Sequence, residues 1–144
     1  MFDNIADLIE KIRLGEDSYR ELKEVRFAGQ KVSAPHKDSL ADELAAFANS
    51  RGGVCVLGVD DTREVLGIPL ERLDLVEDFV RQICLDSITP PLAPVIERLS
   101  LPSTSGEPLP VLKVDIASSL FVHKSPGGYL HRVGSAKREM APDY

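Results

Sequence analysis

Cysteine is scarce in this 144-residue sequence, and what there is does not form a pattern. Cys55 and Cys84 each sit inside an apolar run rather than in a spaced framework, so both read as small buried hydrophobes in a reduced compartment. A cysteine-based metal cluster is thereby excluded. The three histidines, His36, His123 and His131, do not stand at a zinc-ligand spacing and are expected on the surface. No stretch approaches the ~20 apolar residues that a membrane span requires. The N-terminus mixes acids with its apolar residues and lacks a basic start followed by a hydrophobic core, so it does not read as a signal peptide. Together these absences predict a soluble, cytoplasmic protein with no membrane partner.

Two chemical signatures are also missing. There is no Gly-x-Ser-x-Gly nucleophile elbow, which removes support for serine hydrolase chemistry. Gly52 and Gly53 precede an apolar strand instead of following one, and no P-loop lysine accompanies them; they read as a helix stop and a tight turn, and ATP binding is not expected. A basic excess is absent too. The chain has 23 acidic against 17 basic residues, a formal net charge of −6, which on its own argues against a polyanion partner. The distribution tells a different story. From Ile116 to Arg138 there is no acid at all, while Lys124, Arg132, Lys137 and Arg138 are basic, so one edge of an acidic protein is expected to be positive.

What is present suits one globular domain over residues 1–144: 43% hydrophobic and 28% charged residues, no internal repeat and no linker. Phe2, Ile5, Leu8, Ile9 and Ile12 recur at helical spacing and predict a first helix closed by Gly15. Tyr19 to Arg26 predicts a short strand, and Phe27 to His36 a loop. Asp38 or Ser39 can cap a second helix with the stripe Leu40, Leu44 and Phe47. Val54 to Val59 is apolar on both faces and predicts a central strand, with Glu64 to Ile68 returning as a hairpin partner after the polar loop Asp60 to Arg63. Leu73, Val76, Phe79, Val80 and Ile83 predict a third helix that must end before Pro90 and Pro91. Val95 to Leu101 and Leu109 to Ile116 predict two strands, and Tyr129 to Val133 a last one after the turn Ser125 to Gly128. The expected fold class is a single mixed α/β (α+β) domain with a largely antiparallel sheet and about three helices.

Two groups of residues could carry chemistry. Glu16 and Glu21 are five apart, so they can meet only if the chain bends between them, for which Gly15 to Ser18 is suited; Lys23 shares a strand face with Glu21. A third acid, Asp60 or Asp61, follows the central strand. Converging carboxylates of this kind could hold Mg²⁺ or Mn²⁺ and activate water for phosphodiester cleavage, with Lys23 facing the developing negative charge; alternatively, they are solvated acids flanking a strand of a protein-interaction or dimerisation module. In the run Tyr129 to Arg138, an arginine on a strand followed by Gly134 and Ser135 offers charge, close backbone approach and a hydroxyl, all suited to phosphate. The alternative is an edge strand protected by basic residues. The residues expected to contact nucleic acid are Lys124, Arg132, Ser135, Lys137 and Arg138.

The ordered elements Gly15-Glu16 to Glu21-Leu22-Lys23, Ala46-Phe47-Ala48-Asn49-Ser50-x-Gly52-Gly53, Leu57-Gly58-Val59-Asp60-Asp61, Gly67-Ile68 and Tyr129-x-x-Arg132-Val133-Gly134-Ser135 resemble the Schlafen-type AlbA-like domain over nearly the whole chain. The resemblance implies a DNA-binding module of the transcriptional-regulator type, often the N-terminal part of a longer protein whose C-terminal domain would be missing here. In animal Schlafen relatives an acid triad cleaves RNA. By motif position it falls on Glu16, Glu21 and Asp61, with Asp60 as the alternative third member. Those nucleases pair two such domains around the substrate, so this chain would have to form a homodimer to do likewise.

Overall fold

The computed structural model describes residues 5–14, 19–133 and 136–140, and within them the expected mixed architecture is present. The helices are α1 (Ile5–Leu14), α2 (Lys37–Ala48) and α3 (Leu73–Asp86), the last preceded by a single 3₁₀ turn, Leu70–Arg72. The main sheet has four strands, β1 (Arg20–Lys23), β4 (Gly53–Leu57), β6 (Pro108–Ile116) and β5 (Val95–Pro102), in that spatial order. β1 runs parallel to β4, while β6 is antiparallel to both β4 and β5. Two antiparallel ribbons complete the chain: β2 (Arg26–Ala28) with β3 (Lys31–Ala34), and β7 (Leu130–Val133) with β8 (Ala136–Glu139). None of the helices is long and apolar enough to cross a membrane, among the described residues.

The sheet is covered on both faces. On one, Cys55, Leu57, Leu112, Val114 and Ile116 pack with Leu40, Leu44 and Phe47 of α2 and Val76, Val80 and Ile83 of α3. On the other, Leu22, Val54, Val56 and Val111 pack with Leu8 and Ile12 of α1. This is why β4 is buried along its whole length and reads as an unbroken apolar run. Gly52 and Gly53 follow the end of α2 and turn the chain into β4, the helix stop and tight turn expected of them, and close packing also requires both. Gly52 has φ +80°, and a Cβ there would lie 2.7 Å from the Ile116 carbonyl oxygen; a Cβ on Gly53 would overlap the Phe47 ring.

Several local expectations are corrected. The strand expected over Tyr19 to Arg26 ends at Lys23, and a second begins at Arg26. The expected loop over Phe27 to His36 contains a hairpin, closed by Gly29 and Gln30; Gly29, at φ +61°, supplies the positive φ that a two-residue turn needs at its first central position. His36, and not Asp38 or Ser39, caps α2, its Nδ1 accepting from the Asp38 backbone N–H at 3.3 Å. The Glu64 to Ile68 return is reduced to one bridge, Val59 to Val65. β8 was not foreseen, since Ala136-Lys137-Arg138-Glu139 has no apolar alternation.

Candidate nucleic-acid interface and the ion cluster beneath it

In β1 the pairing Glu21 to Cys55 and Lys23 to Leu57 turns both charged side chains toward the α2 face of the sheet. On α2, Glu43 interrupts the apolar stripe of Leu40, Leu44 and Phe47 and is itself buried. The β7–β8 ribbon lies across these two elements and inserts Arg132 between them. Arg132 Nη1 donates to Glu21 Oε2 at 2.9 Å and to Glu43 Oε2 at 2.7 Å, and Nη2 donates to the Arg20 carbonyl at 3.3 Å. The guanidinium stacks on the Phe47 ring, 4.7 Å from its centroid, and the Arg132 backbone N–H donates to Ser50 Oγ at 2.8 Å.

The remaining carboxylate oxygens are also engaged. Lys23 Nζ lies 3.4 Å from Glu21 Oε1, and Lys137 Nζ lies 3.2 Å from Glu43 Oε1. The result is a chain, Lys23, Glu21, Arg132, Glu43, Lys137, in which three cations serve two carboxylates. Burial, and then the charge of Glu21, push the Glu43 carboxyl above its usual range despite the three cations. Burial alone would lower the Lys23 ammonium, but Glu21 and Glu43 together hold it above the ordinary lysine value.

This arrangement corrects the reading of Arg132 as a phosphate contact at the surface. Its side chain is 1% exposed, because strand alternation points it inward at an acid that the sequence offers on α2. Its cross-strand partner Lys137 faces the same way and is partly covered. Arg138, paired with His131, is exposed on the opposite face, and Lys124 is exposed beside the Ser125 to Gly128 turn. Ser135 and Glu16 lie outside the described residues.

The other acids are separated from this cluster in role. Asp60 Oδ1 accepts from the Thr62 backbone N–H (2.9 Å), Thr62 Oγ1 (2.7 Å) and the Glu64 backbone N–H (2.9 Å), and these bonds hold its carboxyl below the usual aspartate range. Asp61 is exposed in the same turn. No three His, Cys, Asp or Glu side chains gather into a metal-binding group among the described residues.

α2 and the residues after it also strap the C-terminal segment down, a function the sequence reading missed. Asn49 Nδ2 donates to the His123 and Leu130 carbonyls, both at 2.8 Å, and its Oδ1 accepts from the His123 N–H at 2.7 Å. Asp42 Oδ1 accepts from Ser125 Oγ at 2.7 Å and the Gly127 N–H at 2.8 Å. His123, expected at the surface, is buried. Its Nδ1 meets the Pro90 carbonyl at 2.6 Å and its Nε2 meets Ser119 Oγ at 2.7 Å; a carbonyl can only accept, so Nδ1 carries a proton. The signal that could have found these roles is the Phe47-Ala48-Asn49-Ser50 run itself, where polar residues end an otherwise buried helix.

Residues 16–141 match the family described as Schlafen, AlbA_2. The chain belongs to that family. Among solved structures, the Schlafen AlbA_2 domain resembles the DIP2311 protein from Corynebacterium diphtheriae, with a TM-score of 0.57 and 23% sequence identity over 85% of this chain. At that identity the likeness concerns the fold. The chain spans 22% of that protein's length.

Proposed function

We propose that this Schlafen AlbA_2 domain binds nucleic acid, DNA or RNA, through the outward face of the β7–β8 ribbon and the turn that precedes it. The observation that carries the reading is the sorting of charge on the ribbon. The inward positions Arg132 and Lys137 are spent on Glu21 and Glu43, whereas Arg138 and Lys124 stand exposed within a stretch that has no acid from Ile116 to Arg138. The inner pairs fix the ribbon, and the outer cations are left to meet phosphates. Arg132 thus acts as a positioning residue, and a regulator-type role would follow from the binding. Arg138→Ala and Lys124→Ala should each weaken binding to all sequences alike and lower the salt slope by about 1 while folding is retained. Unchanged affinity and slope in the double variant, measured by fluorescence anisotropy, would remove this surface as the interface.

A second reading, Mg²⁺- or Mn²⁺-dependent cleavage of RNA, is favoured by one observation: Glu21 shares a buried site with a second carboxylate, Glu43, so two acids converge on one nitrogen. The set implied by motif position, Glu16, Glu21 and Asp61, with Asp60 as alternative, fits a cation only if the cation displaces Arg132 and Lys23 from Glu21, because both Glu21 oxygens are engaged. Structured RNA incubated with either metal decides it. Cleavage by the wild type that is lost in Glu21→Gln supports the reading, and no cleavage with either metal sinks it.

A further inference from the structure

We propose that the ligand of this face is a single-stranded nucleic acid, DNA or RNA, and that an unstacked base lies on the ring of Tyr129 while neighbouring phosphates meet Lys124 and Arg138. The inference rests on the interface reading above and specifies its substrate class. Tyr129 is 47% exposed at the start of the ribbon. Its place follows from the ladder. Met140 N–H donates to the Tyr129 carbonyl at 2.7 Å, which continues the pairing of Leu130 with Glu139 and His131 with Arg138 by one step. Alternation puts His131 and Arg138 on the outward face of the ribbon, and Arg138 stands diagonal to the exposed Tyr129 at a Cα spacing of about 7–8 Å. Glu139 pairs with Leu130 but is exposed, and a Cβ at Gly128 would lie 3.7 Å from its Oε1, so one carboxylate borders the site.

Lys124 reaches the same spot from the other side. Ser125 and Gly128 exchange backbone hydrogen bonds at 2.9 Å, so Lys124 and Tyr129 stand just outside the two ends of that turn. The backbone carrying the ring is rigid on both sides: Asn49 clamps the His123 and Leu130 carbonyls, Asp42 holds the turn, and the Lys124 backbone exchanges hydrogen bonds with Thr89. An exposed aromatic ring on a held backbone, with one exposed cation at the other end of the turn and another diagonal on the ribbon, suits a base face and the phosphates on either side of it. Duplexes keep their base faces covered by their neighbours, so only an unpaired strand can use the ring.

The test uses the whole chain and labelled probes of about 16 nucleotides: oligo-dT, oligo-U and a blunt duplex of mixed sequence. Wild type should bind a single strand more tightly than the duplex, and the dT and U arms tell DNA from RNA. Tyr129→Ala should lose roughly 5- to 100-fold in single-strand affinity, leave the duplex affinity unchanged and unfold at the wild-type temperature, while Tyr129→Phe should keep the affinity. Equal single-strand affinity in Tyr129→Ala, or a duplex bound as tightly as a single strand, would overturn the stacking proposal. If that duplex binding still depends on Lys124 and Arg138, the interface reading stands without it. No binding to any probe at ~0.1 M salt, where the domain-wide repulsion is screened, would overturn both.

Discussion

Arg132 shows how far a residue type can mislead without its neighbours. An arginine on a strand followed by glycine and serine suits a phosphate, yet this one lies beneath the ribbon with Glu21, Glu43 and the Phe47 ring around it. The clue lay elsewhere in the sequence, in Glu43: an acid placed inside the stripe of Leu40, Leu44 and Phe47 must find a cation or lose its charge. Removing the cation leaves two buried carboxylates facing each other. Arg132→Met should therefore lower the unfolding free energy by about 3–5 kcal/mol, and Arg132→Lys should recover only part of it, since an ammonium cannot reproduce the planar fork that reaches Glu21, Glu43 and the Arg20 carbonyl together. Urea denaturation followed by circular dichroism reads both. A loss for Arg132→Met no larger than a typical surface substitution would mean that the cluster is not what holds the ribbon to α2.

At the level of elements, legibility followed apolar periodicity. β4, β6, α2 and α3 bury continuous or periodic apolar positions, and the sequence placed each of them, and β5, within a few residues of where it lies. The elements that were missed, or whose ends were misplaced, are held by other forces. β1 is the sequence Arg-Glu-Leu-Lys, whose charges are satisfied by partners far along the chain, and nothing local marks its end at Lys23. β2 and β3 form a ribbon around a glycine turn that a composition-based reading takes for a loop. β8 has no apolar face at all; it exists because it pairs with β7 and because Lys137 reaches Glu43. The candidate site inherits this pattern. Its outward cations were visible in the acid-free stretch, but the division between inward and outward residues required the register, and the straps from Asp42 and Asn49 required the tertiary fold.

The whole molecule carries a net charge of −6, and the proposed interface must work against it. The two act over different distances. At ~0.01 M salt the Debye length is about 30 Å, so a polyanion approaching the ribbon feels the repulsion of the entire acidic domain; at ~0.15 M it is about 8 Å, and only the nearest groups count. Those nearest groups are the exposed Lys124 and Arg138, together with Asp42, whose carboxylate is already engaged by Ser125 and Gly127, and Glu139, which follows Arg138. Binding should therefore respond to salt in two regimes. Above ~0.1 M, affinity should fall with salt as the few phosphate contacts lose their counterion-release advantage. Below ~0.05 M, the slope of log K against log salt should flatten or change sign, because lowering the salt further strengthens the domain-wide repulsion along with the local attraction. Anisotropy titrations across that range distinguish this from an ordinary basic binder, for which the plot stays a straight descending line. A straight line here would mean that the acids are distributed so as not to oppose the approach, and the affinity would then be set by the exposed cations alone.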